Sequence, residues 1–233
     1  MNPAGARGLF LGPLHISSSV LVTWAIMGLL AGLSLFVSRR LRDTESPTRA
    51  QTALEGLVAL MESAIGEVLP DQARAVLPFV GTLWLFVVLA NLSGLIPGVS
   101  SPTSDLSVTA GLAFLVFCSV HWFGIRHVGW KAYLRHYLTP SPILLPFHVI
   151  SELTRTLALA VRLFGNMMSL ELAALMILLV AGFLVPVPIL MLHVVEALVQ
   201  AYIFGMLALV YIAGAVQAHE ERAARSTPLP KEP

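Results

Sequence analysis

Apolar residues run along this chain in long, nearly unbroken stretches separated by short polar breaks. The first, "SSSVLVTWAIMGLLAGLSLFVS" at 17–38, is about 22 residues without a charge, and four more zones follow at 75–96, 106–125, 143–181 and 187–216. A helix needs about 20 apolar residues to cross a bilayer at about 1.5 Å per residue, so the pattern predicts five transmembrane helices. The fourth zone exceeds one simple span. "TPSPILLPF" at 139–147 makes its start a bent or interfacial approach, because proline cannot continue a helix interior.

One segment has a different period. In "TALEGLVALMESAIGEVL" at 52–69, Leu54, Leu57, Val58, Met61, Ile65 and Leu69 recur at helical spacing while Glu55, Glu62 and Glu67 fall elsewhere. This predicts an amphipathic helix on the membrane surface or against a partner.

Composition agrees with a membrane protein. Of 233 residues, 57% are hydrophobic and 12% charged, against about 25% charged in an ordinary soluble domain. The mean hydropathy is +0.82. The expected fold is therefore all-α and integral to the membrane, one membrane domain over 1–233. A net charge of +1 excludes bulk attraction to nucleic acid. The single cysteine, Cys118, can form no intrachain disulfide and reads as a small buried hydrophobe. Residues 1–15 carry only Arg7 as a basic residue, and the run after them is too long for a signal-peptide core.

Arginine and lysine set the expected orientation. Arg39, Arg40, Arg42 and Arg49 follow the first helix and Arg126, Lys131 and Arg135 follow the third, whereas 97–105 and the turn "GFLVPVPI" have none. The positive-inside rule places segment 1–15 outside and the polar tail 217–233 in the cytoplasm. That tail, ending "HEERAARSTPLPKEP", is expected to be disordered.

Neither a nucleotide-binding P-loop nor an HExxH, GxSxG or paired-cysteine pattern occurs. The sequence therefore supplies no catalytic set, cofactor site or metal site; His193 and Glu196 alone are too few ligands. What it does supply is a charge in the wrong solvent. Arg162 lies near the middle of "LALAVRLFGNMMSLELAALMILL" at 157–179, and an arginine at a helix centre costs about 2.5–3.5 kcal/mol on insertion scales. It must face protein or water, as a functional group or in a structural ion pair.

Asn166 and Ser169 follow one and two turns beyond Arg162 on the same face, whereas Glu171 is nearly opposite in azimuth and about 13 Å further along the axis. Glu171 therefore needs a partner outside its own helix, and the last helix is expected to supply one. There His193, Glu196 and Gln200 share a face, with Tyr211 nearly in line further down. Antiparallel packing would put Glu171, His193 and Glu196 in the outer half of the membrane, with Arg162 and Gln200 deeper. Titratable groups leading inward to a fixed positive charge have the layout of an aqueous half-channel for a cation, with arginine as the barrier. Arginine suits that place because it stays protonated where a buried lysine could lose its proton. Ordinary interhelical hydrogen bonding is the other reading of Asn166, Ser169 and Gln200. Glu152 and Arg155, toward the cytoplasmic end, fit an inner exit or an interfacial salt bridge. The buried ionisable groups cluster in the C-terminal part, so another subunit would have to carry the ion past Arg162.

Four blocks, "NLSGLIPG" at 91–98, "PTSDLSVTAGLAF" at 102–114, "RLFGNM" at 162–167 and "QAYIFGMLALVYI" at 200–212, resemble subunit a of the F-type ATP synthase. The resemblance implies a membrane stator beside a ring of c subunits, with two long tilted helices over 143–216 against the ring and two offset half-channels. It implies that Arg162 faces the ring carboxylate, that Asn166, Glu171, His193 and Gln200 lie on the outer half-channel, and that Asp105 stands at its outer entrance. It also implies the other ATP synthase subunits and membrane lipid as partners, peripheral-stalk b subunits among them, and a place in a bacterial plasma membrane. Three positions depart from the family pattern: Thr156 replaces a frequent proline, Leu170 replaces a small residue, and Glu196 adds a carboxylate. The added acid leaves the coupling ion open between H+ and Na+. A self-contained cation transporter or channel is the alternative, but the internal symmetry expected of one does not appear in the sequence.

Overall fold

A computed structural model of the protein describes residues 9–11, 14–40, 49–96, 99–130, 145–181 and 186–226. Strands β1 (Leu9–Leu11) and β2 (Leu14–Ile16) pair antiparallel with Leu9 opposite Ile16, a small hairpin that the hydropathy pattern does not signal. Helix α1 (Ser18–Arg40) follows, and α2 (Arg49–Gly66) covers most of the expected amphipathic segment. Next come α3 (Ala73–Ser93), α4 (Leu106–Val128), α5 (Leu145–Ala181) and α6 (Pro186–Ser226). Among the described residues five helices are long and apolar enough to cross a membrane: α1, α3, α4, α5 and α6.

The elements end where the sequence changes character. Asp105 caps α4 by accepting the Ser107 amide, and Gly129 closes it at φ 86°, a left-handed conformation that favours glycine. Helix α5 already includes Leu145–Phe147, while the remainder of the proline-rich approach lies outside the described residues. The tail is a correction: α6 continues to Ser226, well past residue 217. The run "AHEERAAR" at 218–225 consists mostly of strong helix formers with no glycine or proline, so polarity there does not break the helix. The end of the tail, 227–233, is not described.

Two apolar clusters hold the bundle. The middle one packs Ile26 of α1, Leu83, Phe86 and Val87 of α3, Ala113 and Val116 of α4, Leu159 and Leu163 of α5, and Phe204 of α6. The second brings α2 and the start of α3 against the later part of α6, with Ile65, Val76, Val80, Leu209 and Ile212 fully buried. One face of α2 is thus buried within the chain, while Leu57, Val58 and Leu60 stay exposed. An ion pair from Glu62 to Arg74 at 3.0 Å also joins α2 to α3; being exposed, it contributes little.

Helix α6 comes close to α3 because its facing side is small. Ala197, Ala201, Gly205 and Ala208 are buried, the composition that lets helix backbones approach in a membrane. A Cβ on Gly205 would overlap the Trp84 indole. That indole donates to the Tyr202 carbonyl oxygen at 3.3 Å and stacks on the Tyr202 ring.

Candidate ion-translocation site

Helices α5 and α6 run antiparallel side by side, Asn166 meeting Gln200 and Arg155 meeting Tyr211, and polar side chains between the α5 C-terminal and α6 N-terminal halves are tied together by the C-terminus of α3 and the segment before α4. Asn91, fully buried, is the centre. Its Nδ2 donates to the Ala197 carbonyl oxygen at 3.2 Å, its Oδ1 accepts from Thr103 Oγ1 at 2.7 Å, and its own carbonyl oxygen is 3.3 Å from His193 Nε2. A carbonyl only accepts, so His193 Nε2 carries a hydrogen there. Ser101 Oγ completes the knot, donating to the Ala90 carbonyl oxygen at 2.8 Å and meeting Thr103 Oγ1 at 2.6 Å. These partners come from α3, α6 and the segment before α4, which is how buried polar groups are paired in an apolar bundle.

Glu171 joins the same knot. Its Oε1 accepts the Ser101 amide at 2.9 Å. The partner expected from the last helix thus comes from the segment before α4, because α6 turns His193 toward α3. Gly94 makes room: a Cβ there would meet Ser101 Cβ at 3.2 Å and Glu171 Oε1 at 3.4 Å. The close approach that a small residue at 170 would provide is provided opposite, and Leu170 itself is buried.

Deeper between α5 and α6, Asn166 Nδ2 donates to Gln200 Oε1 at 2.7 Å. Gln200 is 2% exposed, and its Nε2 has no protein partner among the described residues. Arg162, one turn from Asn166, lies on the exposed side of α5, with Leu159, Leu163 and Met167 buried on the other. Neither an acceptor nor a carboxylate of the described residues reaches its guanidinium, so the internal ion pair is not formed. Ser169 shares the exposed side, and Glu196 is partly exposed beside the buried His193. The exposed surfaces of α5 and α6 are rich in apolar side chains, with Leu157, Val161, Met168 and Leu172 on α5 and Leu198, Val199, Tyr202 and Ile203 on α6.

Toward the opposite end, Glu152 and Arg155 take different partners. Glu152 Oε2 lies 3.1 Å from His121 Nε2 on α4, and Arg155 sits 5.6 Å over the Tyr211 ring. Thr156 donates to the Glu152 carbonyl oxygen at 3.0 Å. His121 is the ionisable group that the C-terminal clustering passes over; a histidine within the 106–125 apolar run was its signal. Asn91, Ser101 and Thr103 were also missed as site residues, since uncharged polar residues near a loop give no charge signal.

Asp105 stands at the α4 N-terminus. Burial pushes its carboxyl up, but hydrogen bonds from the Ser107 hydroxyl and amide and from Ser19 outweigh this and hold it below the usual carboxylate range.

The chain as a whole is similar to known proteins. A family model described as ATP synthase A chain matches residues 20–213. The chain belongs to that family. Its members are subunit a, the membrane stator subunit of F-type ATP synthases. ATP synthase subunit a 2 of Pelobacter propionicus is 65% identical over 212 residues, spanning 91% of this chain and 92% of that protein. ATP synthase subunit a 1 of Hahella chejuensis is 61% identical over 213 residues, 91% of this chain and 90% of that protein. ATP synthase subunit a of Legionella pneumophila is 58% identical over 214 residues, 90% and 91% respectively. Membership in this family makes the chain an integral, multi-pass membrane protein, in keeping with its five candidate spans.

Proposed function

We propose that this chain is the ion-translocating stator subunit of a rotary F-type ATP synthase, and that α5 and α6 pack against a ring of c subunits with Arg162 facing the ring's carboxylates. The observation that carries the reading is the position of Arg162: mid-helix, on an exposed apolar face, with no counter-charge among the described residues. A charge so placed in a membrane calls for a partner, and a carboxylate presented by another subunit supplies one.

In this reading Asn166, Glu171, His193, Glu196 and Gln200 line an outer half-channel with Asp105 at its entrance, and Glu152 and Arg155 mark an inner one. The guanidinium favours the ionised form of a facing carboxyl. To leave Arg162 and face lipid, that carboxyl must first be neutralised by an ion. Ions arriving by one half-channel therefore leave by the other only after the ring has turned, and the fixed charge stops direct passage between them. The N-terminus lies outside and the C-terminus in the cytoplasm of a bacterial plasma membrane; H+ or Na+ is the coupling ion, and the peripheral-stalk b subunits share the stator role.

Ion flux in vesicles separates this from the self-contained transporter. The chain reconstituted alone should conduct no more than empty vesicles, whereas the whole complex should pump on ATP addition. Sustained flux through the chain alone would favour the transporter.

A further inference from the structure

The contact between His121 and Glu152 joins α4 to α5 with each side chain about a quarter exposed, 28% and 27%. It lies ten residues before Arg162, about 15 Å along the α5 axis. His121 Nδ1 is 2.9 Å from the Phe117 carbonyl oxygen. Because a carbonyl only accepts, Nδ1 carries a hydrogen whatever the charge of the ring. The other contact, Nε2 to Oε2, then holds one proton: an imidazolium faces a carboxylate, or a neutral imidazole accepts from a carboxylic acid. Removal of that proton would leave two lone pairs facing each other at 3.1 Å. The bridge between the helices is thus intact with its proton and weakened without it.

Other cationic or protonatable groups lie on the same elements. On α5, His148 precedes Glu152 by one turn and Arg155 follows by three residues, with its guanidinium over the Tyr211 ring of α6. On α4, Arg126 and His127 lie beyond His121, and a His127 ring nitrogen is 3.1 Å from Gln72 Nε2 at the start of α3. Among these groups, the imidazole of His121 is in contact with the Glu152 carboxyl.

We propose that the His121–Glu152 pair is the proton-exchanging group of the half-channel on the side of Arg162 away from the α5 C-terminus; this rests on the stator reading above. A proton given up by the rotor carboxyl reaches the pair through water as the pair's own proton leaves to the aqueous surface. One proton enters and one leaves, and the pair returns to its single-proton state. The inference adds His121, from α4, to an inner half-channel otherwise drawn on α5.

The test is ATP-driven proton pumping in sodium-free vesicles holding the whole complex, measured across pH for the unmodified chain, Glu152→Gln and His121→Gln. A glutamine can still hydrogen-bond across α4 and α5 but cannot exchange a proton in this range, so a purely structural bridge would survive. We expect pumping to fall at least about tenfold in both variants with the complex assembled. Normal rates with an unchanged pH profile would overturn the inference. Where Glu152→Gln fails to assemble, Glu152→Asp decides: a displaced pH profile supports the proton role, and an undisplaced one refutes it. Arg162→Ala is run alongside, since loss of pumping there together with normal pumping in the pair variants defeats only this inference, whereas normal pumping in Arg162→Ala defeats the stator reading.

Discussion

Glu171 Oε1 and the Ser101 amide meet at 2.9 Å, so a carboxylate on α5 fixes the segment that leads from α3 into α4. Glutamine keeps an acceptor for that amide, but leucine does not. Loss of the partner of a buried N–H costs about 1–3 kcal/mol. We expect Glu171→Leu to lower the thermal stability of the solubilised complex by that order, and Glu171→Gln to keep stability while reducing pumping. Equal stability of the Leu variant and the unmodified chain would show that the contact holds nothing.

Asn91 makes its side-chain hydrogen bonds as both donor and acceptor. Asn91→Asp retains the acceptor toward Thr103 but turns a carboxylate oxygen toward the Ala197 carbonyl, replacing attraction with repulsion. We therefore expect Asn91→Asp to destabilise more than Asn91→Ala, which should cost about 2 kcal/mol. The order of the two melting temperatures checks this; Asp at least as stable as Ala would contradict the assigned donor.

Helices α3 and α6 touch through Gly205 and Trp84, where an added methyl would overlap the indole. Gly205→Ala should cost at least about 1–3 kcal/mol, the range for overpacking, and should be visible as reduced subunit abundance in membranes. Truncating Trp84 to leucine in the same chain should restore part of that abundance. Failure of the second change to help would place the defect elsewhere.

How far these features were legible depends on whether they left a charge or a period in the sequence. The five spans followed from apolar run length, and Arg162, Glu171 and His193 from the cost of ionisable groups in a membrane. The partners of those groups did not follow. Ser101 and Asn91 are common uncharged residues, and only the fold shows that they converge on Glu171 and His193. His121 was readable as a charge but not as a partner of Glu152, since the two are 31 positions apart and spacing relates residues on one helix only. The helical tail misled in the other direction, because a polar composition hid good helix formers.

Asp105 gives a pH dependence with a definite sign. Its carboxyl titrates lower in the folded chain than in the unfolded one, so its contribution is present above the unfolded value of about 3.9 and is lost as pH falls through the folded value. Between pH 5 and 8 the cap should be constant. Asp105→Ala should cost about 1 kcal/mol there, and Asp105→Asn, itself a good cap, much less. A cap contribution that changed between pH 6 and 8 would contradict this assignment.

The central claim is that Arg162 is both the barrier between two half-channels and the partner of a rotor carboxylate. The most direct measurement is ATP-driven pumping and passive leak in vesicles holding the whole complex, comparing the unmodified chain with Arg162→Ala, with and without sodium. The account predicts that the variant assembles, loses coupled pumping and becomes passively leaky to the coupling ion, which the sodium dependence of pumping by the unmodified chain identifies. Pumping at the normal rate without leak would make Arg162 a structural charge and contradict the account.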